Sequence, residues 1–93
     1  MVTAIVLIDI ESATIPEAAQ AIADIPGVQT VYSCAGDVDV IAVVQADDHE
    51  GIAELIPEHI AKVPGVKSTV THIAFRSYAR RDSEDAFSIG MQA

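Results

Sequence analysis

The stretches "AIADIPGVQT" (residues 21–30) and "HIAKVPGVKS" (residues 59–68) share an Ile-Ala-x-Ile/Val-Pro-Gly-Val core. They lie 38 residues apart, and the same offset aligns "VTAIVLID" (2–9) with "VIAVVQAD" (40–47). An internal repeat of this kind indicates two copies of one supersecondary unit. Each copy has an apolar β-branched run, an amphipathic stretch that ends at Pro-Gly, and a second β-branched run. Each copy therefore predicts a strand, a helix and a strand.

The predicted order of elements is βαββαβ. Thr14, Pro16 and Glu17 form a capping-box pattern at the start of the first helix, and Pro57 predicts a bend in the second because proline lacks a backbone donor. Two such units predict the fold class α+β, a ferredoxin-like sandwich of four antiparallel strands with both helices on one face. We expect strands at about 2–10, 28–35, 38–46 and 66–76, and helices at about 14–24 and 48–62.

Composition limits the classes of function. A length of 93 residues fits one domain, and a hydrophobic fraction of 51% is high for a small domain on its own. The formal net charge is −9 with only five Lys and Arg, which argues against direct binding of nucleic acid. No apolar run approaches the about 20 residues of a membrane span, and no signal peptide is recognisable. Cys34 is the single cysteine, so we expect no internal disulfide and a cytoplasmic location.

The two faces of the predicted sheet differ, because alternate residues of a strand point to opposite sides. One face holds only aliphatic residues and is assigned to the helices: Val2, Ala4, Val6, Ile8, Ile10, Val40, Ala42, Val44 and Ala46. The other face is mixed, yet it carries four large aliphatic side chains: Ile5, Leu7, Ile41 and Val43. Leaving such a side chain exposed forgoes about 1.5–3 kcal/mol. We therefore expect a second copy of the chain to cover this face, with an exposed apolar patch as the alternative.

Signals of catalysis are weak. The chain has no Gly-rich phosphate loop, no nucleophile elbow and no Cys-x-x-Cys pair. His49, His59 and His72 are spread over three predicted elements, so one chain does not gather them into a metal site. The sequence predicts no catalytic residue, no metal site and no cofactor.

The stretch "CAGDVDV" (34–40) joins the two repeats and is the best candidate for a binding site. Gly36 can take a positive φ, and Asp37 favours turns through its own side-chain hydrogen bonds, so geometry alone accounts for both. Asp39 is not explained in this way, because it begins a β-branched strand where carboxylates are disfavoured. A ligand ammonium would pair with Asp39, and free N–H groups around Gly36 would hold a carboxylate. A free amino acid carries both charges.

These residues resemble the effector-binding domain of the leucine-responsive/asparagine-operon (Lrp/AsnC) family of regulators. The resemblance lies in "AGDVDVIAVVQADD" (35–48), similar to the family's Gly-Asp-x-Asp turn entering an apolar strand, and in "VPGVKSTVTHIAF" (63–75), similar to its Pro-Gly-Val before a Thr-rich last strand. It covers residues 2–78. Full-length members carry an N-terminal helix-turn-helix, for which a first strand at residue 2 leaves no room. We therefore expect a stand-alone version of the domain.

The resemblance implies homodimers formed through the sheets as a dimeric α+β barrel, which assemble further into a ring, a tetramer of dimers. It implies a small-molecule effector, usually an amino acid, bound between dimers and biasing their assembly. Carried onto this chain, the site combines the turn with polar residues of the last strand from a neighbouring subunit: Ala35, Gly36, Asp37, Asp39, Thr69, Thr71 and His72. His72 stands where many relatives have an aromatic residue.

The resulting hypothesis is a non-enzymatic sensing domain at residues 1–78 that modulates transcription by its own assembly or in mixed oligomers with a DNA-binding relative. Residues 79–93 form either a disordered tail or an arm that docks on a neighbouring subunit. Two alternatives stay open. One is an enzyme of the dimeric α+β-barrel type that uses a cavity between the sheets, and the other is a structural oligomerisation module without a ligand.

Overall fold

Four strands and two helices follow one another in the predicted order in the computed structural model, which describes residues 1–80. The strands are β1 (Val2–Ile10), β2 (Val28–Ser33), β3 (Val40–Ala46) and β4 (Val66–Ala74). The helices are α1 (Ile15–Ala23), after a 3₁₀ turn at Ser12–Thr14, and α2 (His49–Leu55), which continues as a π-helical turn at Ile56–Ile60. Residues 75–80 follow β4 without regular structure. Of the predicted tail at 79–93, only Ala79 and Arg80 lie within the described residues.

The four strands form one antiparallel sheet in the order β2-β3-β1-β4, and this α+β ferredoxin-like fold confirms the predicted class. The face assigned to the helices is buried or half-buried throughout. Apolar side chains of both helices pack onto it, with Ile22 of α1 and Ile60 of the π-helical turn fully buried. Small Ala4 and Ala42, both fully buried, leave room for the helices to approach the two central strands.

The internal repeat is visible in the two Pro-Gly turns. Gly27 and Gly65 have φ of 101° and 97°, a region that glycine enters without a Cβ penalty. Each turn makes the same two backbone hydrogen bonds, all of 3.1 or 3.2 Å: Ile25 N–H to Ile22 O and Val28 N–H to Ile25 O in the first repeat, and Val63 N–H to Ile60 O and Val66 N–H to Val63 O in the second. Equivalent sequences have therefore folded into equivalent turns.

The repeat also relates the two central strands by an approximate two-fold axis. Ile5 and Val43 are equivalent residues of the two repeats, and they lie directly opposite each other in the β1–β3 ladder. The outer strands depart from this symmetry. The repeat would place Thr69 opposite Ala4, by analogy with β2 on β3, but Thr69 lies opposite Ile8, four residues further along β1.

The start of α1 differs from the prediction. Thr14 occupies the N-cap position, but its side chain makes no capping bond to the helix. Its hydroxyl donates instead to the carbonyl of Glu11 at 3.1 Å. The predicted capping box with Glu17 was therefore wrong, because the 3₁₀ turn before the helix uses the Thr14 hydroxyl.

Pro57 lies where the second helix changes its hydrogen-bonding pattern to a π-helical turn, whereas the sequence predicted a bend. The α-helical pattern ends at Leu55, and the N–H of Ala61 donates to the carbonyl of Ile56 at 2.8 Å, a bond that spans five residues. A proline has no N–H for the carbonyl four residues before it, and its ring crowds that carbonyl, so a regular α-helix is not favoured at Pro57. Across residues 1–80, no helix is long and apolar enough to cross a membrane.

The cap of α2 gives a prediction with a matched control. The Asp48 carboxylate accepts a hydrogen bond from the N–H of Gly51 at 2.9 Å, whereas the neighbouring Asp47 is not bonded in this way. We expect Asp48→Ala to lower the free energy of unfolding by about 1 kcal/mol. Asp47→Ala removes the same charge and should stay within about 0.5 kcal/mol. Urea denaturation followed by circular dichroism measures both, and equal effects would contradict the assigned cap.

The sheet face opposite the helices, here called the open face, is apolar at its centre and polar at its ends. Ile5, Tyr32 and Val70 are 38%, 57% and 54% exposed. At one end the Gln45 amide donates to the Thr3 hydroxyl at 3.2 Å, and at the other the Ser68 hydroxyl donates to the Asp9 carboxylate at 3.1 Å. Strands β2 and β4 thus add Tyr32, Val70 and His72 to a face that the sequence assigned from β1 and β3 alone.

Candidate functional site

The connection between β2 and β3, residues 34–39, lies beside the C-terminal end of β1. The N–H of Cys34 donates to the carbonyl of Asp39 at 2.9 Å and closes the connection. The N–H of Asp39 donates to the carbonyl of Ile8 at 3.2 Å and fixes it against the central strand. The site is therefore anchored at its ends, while its tip at residues 35–37 is exposed.

Asp39 has a structural partner that the sequence did not reveal. Its Oδ2 accepts a hydrogen bond from the N–H of Ile10 at 2.8 Å. β3 begins at Val40, opposite Ile8, so Ile10 lies beyond the end of the β1–β3 ladder, and the β1–β4 register shifts between Asp9 and Ile10. The side chain of Asp39 thus supplies the acceptor that a strand carbonyl would otherwise provide. Asp39 therefore has a structural role at the end of β1, which the sequence alone did not predict.

One oxygen of the Asp39 carboxylate is still available. The bond from Ile10 uses Oδ2, and no group in residues 1–80 donates a hydrogen bond to Oδ1. The side chain is half-buried, and it forms no ion pair with a described residue. A half-buried carboxylate with a free oxygen and no paired cation is suited to receive an ammonium group.

The tip of the connection has free donors. Gly36 has a φ of 136°, and an added Cβ would meet no atom within 4 Å, so this position needs glycine for its backbone and not for space. Asp37 is exposed and makes no hydrogen bond in the described structure, so the turn-stabilising bond expected of it is absent. None of the N–H groups of residues 35–38 donates to a backbone carbonyl of the described chain. Successive free N–H groups in a turn form a concavity that binds anions.

The three predicted residues of β4 do not share one face. Thr69 and Thr71 lie opposite Ile8 and Val6 and therefore point to the helix side, whereas His72 lies opposite Ile5 on the open face. β3 and β4 flank β1, so Thr69 is about 10 Å across the sheet from the start of β3. Thr71 and His72 are further along β4. Within one chain, the structure does not bring these two residues to the 34–39 connection.

No metal centre forms in residues 1–80, where no three His, Cys, Asp or Glu side chains gather in a metal-binding arrangement. His49 begins α2, His59 lies in the π-helical turn and His72 is on β4. The half-buried thiol of Cys34 contacts the carbonyl of Tyr32 at 3.7 Å. The chemistry of the site is therefore that of carboxylates and backbone amides.

A family model of the Lrp/AsnC ligand binding domain matches residues 3–84 of the chain. An uncharacterized HTH-type transcriptional regulator of Pyrococcus furiosus is 40% identical over 59 residues, a match that covers 63% of this chain and 39% of that protein. The chain thus matches well under half the length of this regulator.

Solved structures of the same fold support the match. The crystal structure of TTHA0845 from Thermus thermophilus is 38% identical, with a TM-score of 0.80, and the superposition covers 86% of this chain and all of that one. A transcriptional regulator from Neisseria meningitidis, solved as a complex with L-Met, has a TM-score of 0.76 at 15% identity and shares the fold over 85% of this chain and 53% of its own. The fold thus occurs both as a chain of this size and as part of longer regulators.

Proposed function

We propose, since the chain belongs to the family of Lrp/AsnC ligand binding domains, that it is a non-enzymatic sensor of a free amino acid or a related small metabolite. The observation that carries the proposal is the 34–39 connection. It places the free N–H groups of residues 35–38 beside a half-buried carboxylate with one uncommitted oxygen. An anion site next to a cation site complements a zwitterion such as a free amino acid.

The ligand contacts follow from this geometry. The α-carboxylate of the ligand accepts from the N–H groups around Gly36, and its α-ammonium donates to Oδ1 of Asp39. Asp37, exposed and unbonded, adds a second carboxylate beside the ammonium. Thr69, Thr71 and His72 lie away from this connection in one chain, so in the proposal they come from a neighbouring subunit and contact the side chain of the ligand.

The regulatory output in the proposal is assembly. The open face packs against that of a second copy to give a homodimer with a barrel of two sheets, and dimers join into a ring with a ligand site between them. A ligand shifts such an equilibrium only by its different affinity for the two states, so a site shared between subunits supplies the coupling. Mixed oligomers with a DNA-binding relative would carry the signal to transcription, and the HTH-type regulator similar to this chain supports a partner of that type.

A screen of the twenty common amino acids tests the proposal. A ligand at 100 times its Kd stabilises the folded state by about 2.7 kcal/mol, which shifts the Tm of a domain of this size by about 10 °C or more. We expect one amino acid or a few of similar side chain to give such a shift. Size-exclusion chromatography with light scattering should then show a change of mass with that ligand.

Two outcomes separate this proposal from its alternatives. A chain that forms stable oligomers but shows no thermal shift with any amino acid at millimolar concentration is a structural module. Turnover of a small molecule, lost on His72→Ala, would favour the barrel enzyme, because His72 is a titratable residue that lies on the open face, opposite Ile5 of β1. His72 makes no hydrogen bond to a described side chain, so the structure gives it no partner for acid–base catalysis.

The cytoplasmic location stays a prediction.

A further inference from the structure

The segment that follows β4, residues 75–80, is here called the arm. It has no regular secondary structure, and its two aromatic side chains contact almost nothing in the chain: Phe75 is 95% exposed and Tyr78 is 85% exposed. Buried aromatic side chains each remove about 150–250 Å² from water. Two such side chains held in solvent within four residues of the chain are more typical of an interface than of a free surface.

The arm stands away from its own sheet and leaves a cleft of about 650 Å³. One wall is the end of the open face, with Thr3, Ile5 and Gln45, and the other wall is the arm from Phe75 to Tyr78. The cleft opens at the rim of the open face, so it is continuous with the surface that is proposed to pack against a second copy. Whatever fills it contacts the sheet and the arm together.

Charge favours a protein surface of this same chain as the occupant. The arm contains Arg76 and Arg80 and no carboxylate. Most carboxylates of the chain lie in residues 1–74, where only Lys62 and Lys67 are basic. Arg76 lies between the two aromatic residues, so the part of the arm that lines the cleft carries a positive charge that favours the acidic body of a second copy; Arg81, Asp82, Glu84 and Asp85 follow in the sequence and balance the charge of the remaining segment.

We propose that the arm is a clasp between two copies of the chain. In the homodimer, on which this inference rests, the open face of the second copy enters the cleft, and Phe75 and Tyr78 pack against it. The second copy contributes its own arm in the same way, because a two-fold interface repeats every contact. The arm thereby extends the dimer interface beyond the sheets and buries the two most exposed aromatic side chains of the described residues.

The affinity of the dimer tests the clasp. Analytical ultracentrifugation over a dilution series of the full chain gives the dimer Kd, and the variant Phe75→Ser/Tyr78→Ser should raise it at least about tenfold, as expected for two aromatic contacts. Ser77→Ala, between the two aromatics, is the matched control and should leave the Kd within about twofold. Val70→Asp places a carboxylate among the apolar residues of the open face, opposite Leu7 of β1, and should abolish the dimer with or without the arm aromatics.

The pattern of results separates the clasp from the dimer beneath it. An unchanged Kd for the double serine variant, together with loss of the dimer in Val70→Asp, overturns the clasp and leaves the sheet-to-sheet dimer intact. A wild-type chain that is monomeric at high concentration overturns both. Circular dichroism of each variant excludes loss of folding as the cause, and the exposure of Phe75 and Tyr78 makes such a loss unexpected.

A crosslink identifies which copy the arm touches. Phe75→p-benzoylphenylalanine is mixed with unmodified chain uniformly labelled with nitrogen-15, irradiated, and digested for mass spectrometry. The clasp predicts crosslinks from position 75 to labelled peptides that contain β1, β2 or β3. Crosslinks only to unlabelled peptides of the same chain, at a dilution where dimers persist, would show that the arm folds back on its own cleft and would overturn the proposal.

Discussion

Gly65→Ala is expected to lower the free energy of unfolding by about 3 kcal/mol, a large part of the about 5–15 kcal/mol typical of a whole domain. Two penalties add up. A Cβ at this position would collide with Oγ1 of Thr14 and lie 3.3 Å from its Cβ. The φ of 97° adds backbone strain for any side chain. The Thr14 hydroxyl is held by the carbonyl of Glu11, so it does not rotate away without losing that bond.

Two controls isolate the collision. Gly36→Ala introduces a Cβ at a φ of 136° with no atom within 4 Å, so it carries the strain without the collision and should cost about 1–2 kcal/mol. In a Thr14→Ala background the penalty of Gly65→Ala should shrink, because Oγ1 is gone, though the 3.3 Å contact remains. Urea denaturation measures all variants. An unchanged penalty for Gly65→Ala in the Thr14→Ala background would show that the contact with Oγ1 of Thr14 has no energetic importance.

Asp39→Asn is expected to weaken binding of the stabilising amino acid by about 10- to 100-fold, the range of a lost hydrogen bond to a charged group. The substitution removes the negative charge that pairs with the ligand ammonium, but the amide oxygen still accepts from the N–H of Ile10. The fold should therefore change little. Titration calorimetry with the amino acid that gives the largest thermal shift measures the affinity.

Asp39→Ala gives a different result, which makes the pair informative. It removes the acceptor of the 2.8 Å bond from Ile10 as well as the charge, so it should also lower the free energy of unfolding by about 1–2 kcal/mol. Asp47→Asn controls for the change in net charge, because Asp47 follows the end of β3 that is opposite to the 34–39 connection. Wild-type affinity in Asp39→Asn would leave Asp39 with its structural role alone.

The repeat made the order of elements predictable, because the Pro-Gly sequence occurs once in each half and forms the same turn in both. The register of β4 was not predictable in the same way. The repeat places Thr69 opposite Ala4, but pairing of outer strands depends on tertiary contacts that alternation along one strand does not encode. The capping box failed for a related reason: Thr14 has two bonding options, and only the fold decides that its hydroxyl meets Glu11.

The residues of the candidate site could be predicted from the sequence, but their hydrogen-bond partners could not. "AGDVD" identified the glycine with positive φ and the two carboxylates. The bond between Asp39 and Ile10 joins residues 29 apart, and it depends on where β3 begins and where β1 shifts register. Parity along β4 separates His72 from Thr69 and Thr71 once the strand is known, so that division could have been inferred from spacing alone.

The approximate axis between Ile5 and Val43 has a consequence for stoichiometry. The two-fold rotation exchanges β1 with β3 and β2 with β4. The symmetric equivalent of the 34–39 connection, which joins β2 to β3, would therefore be a segment that joins β4 to β1. The chain does not make that link: residues 75–80 lead away from β4 instead. One half of the pseudo-symmetric sheet therefore has a Gly-Asp turn and the other half has an arm, so titration should saturate at one ligand per chain although the fold is built from two like halves.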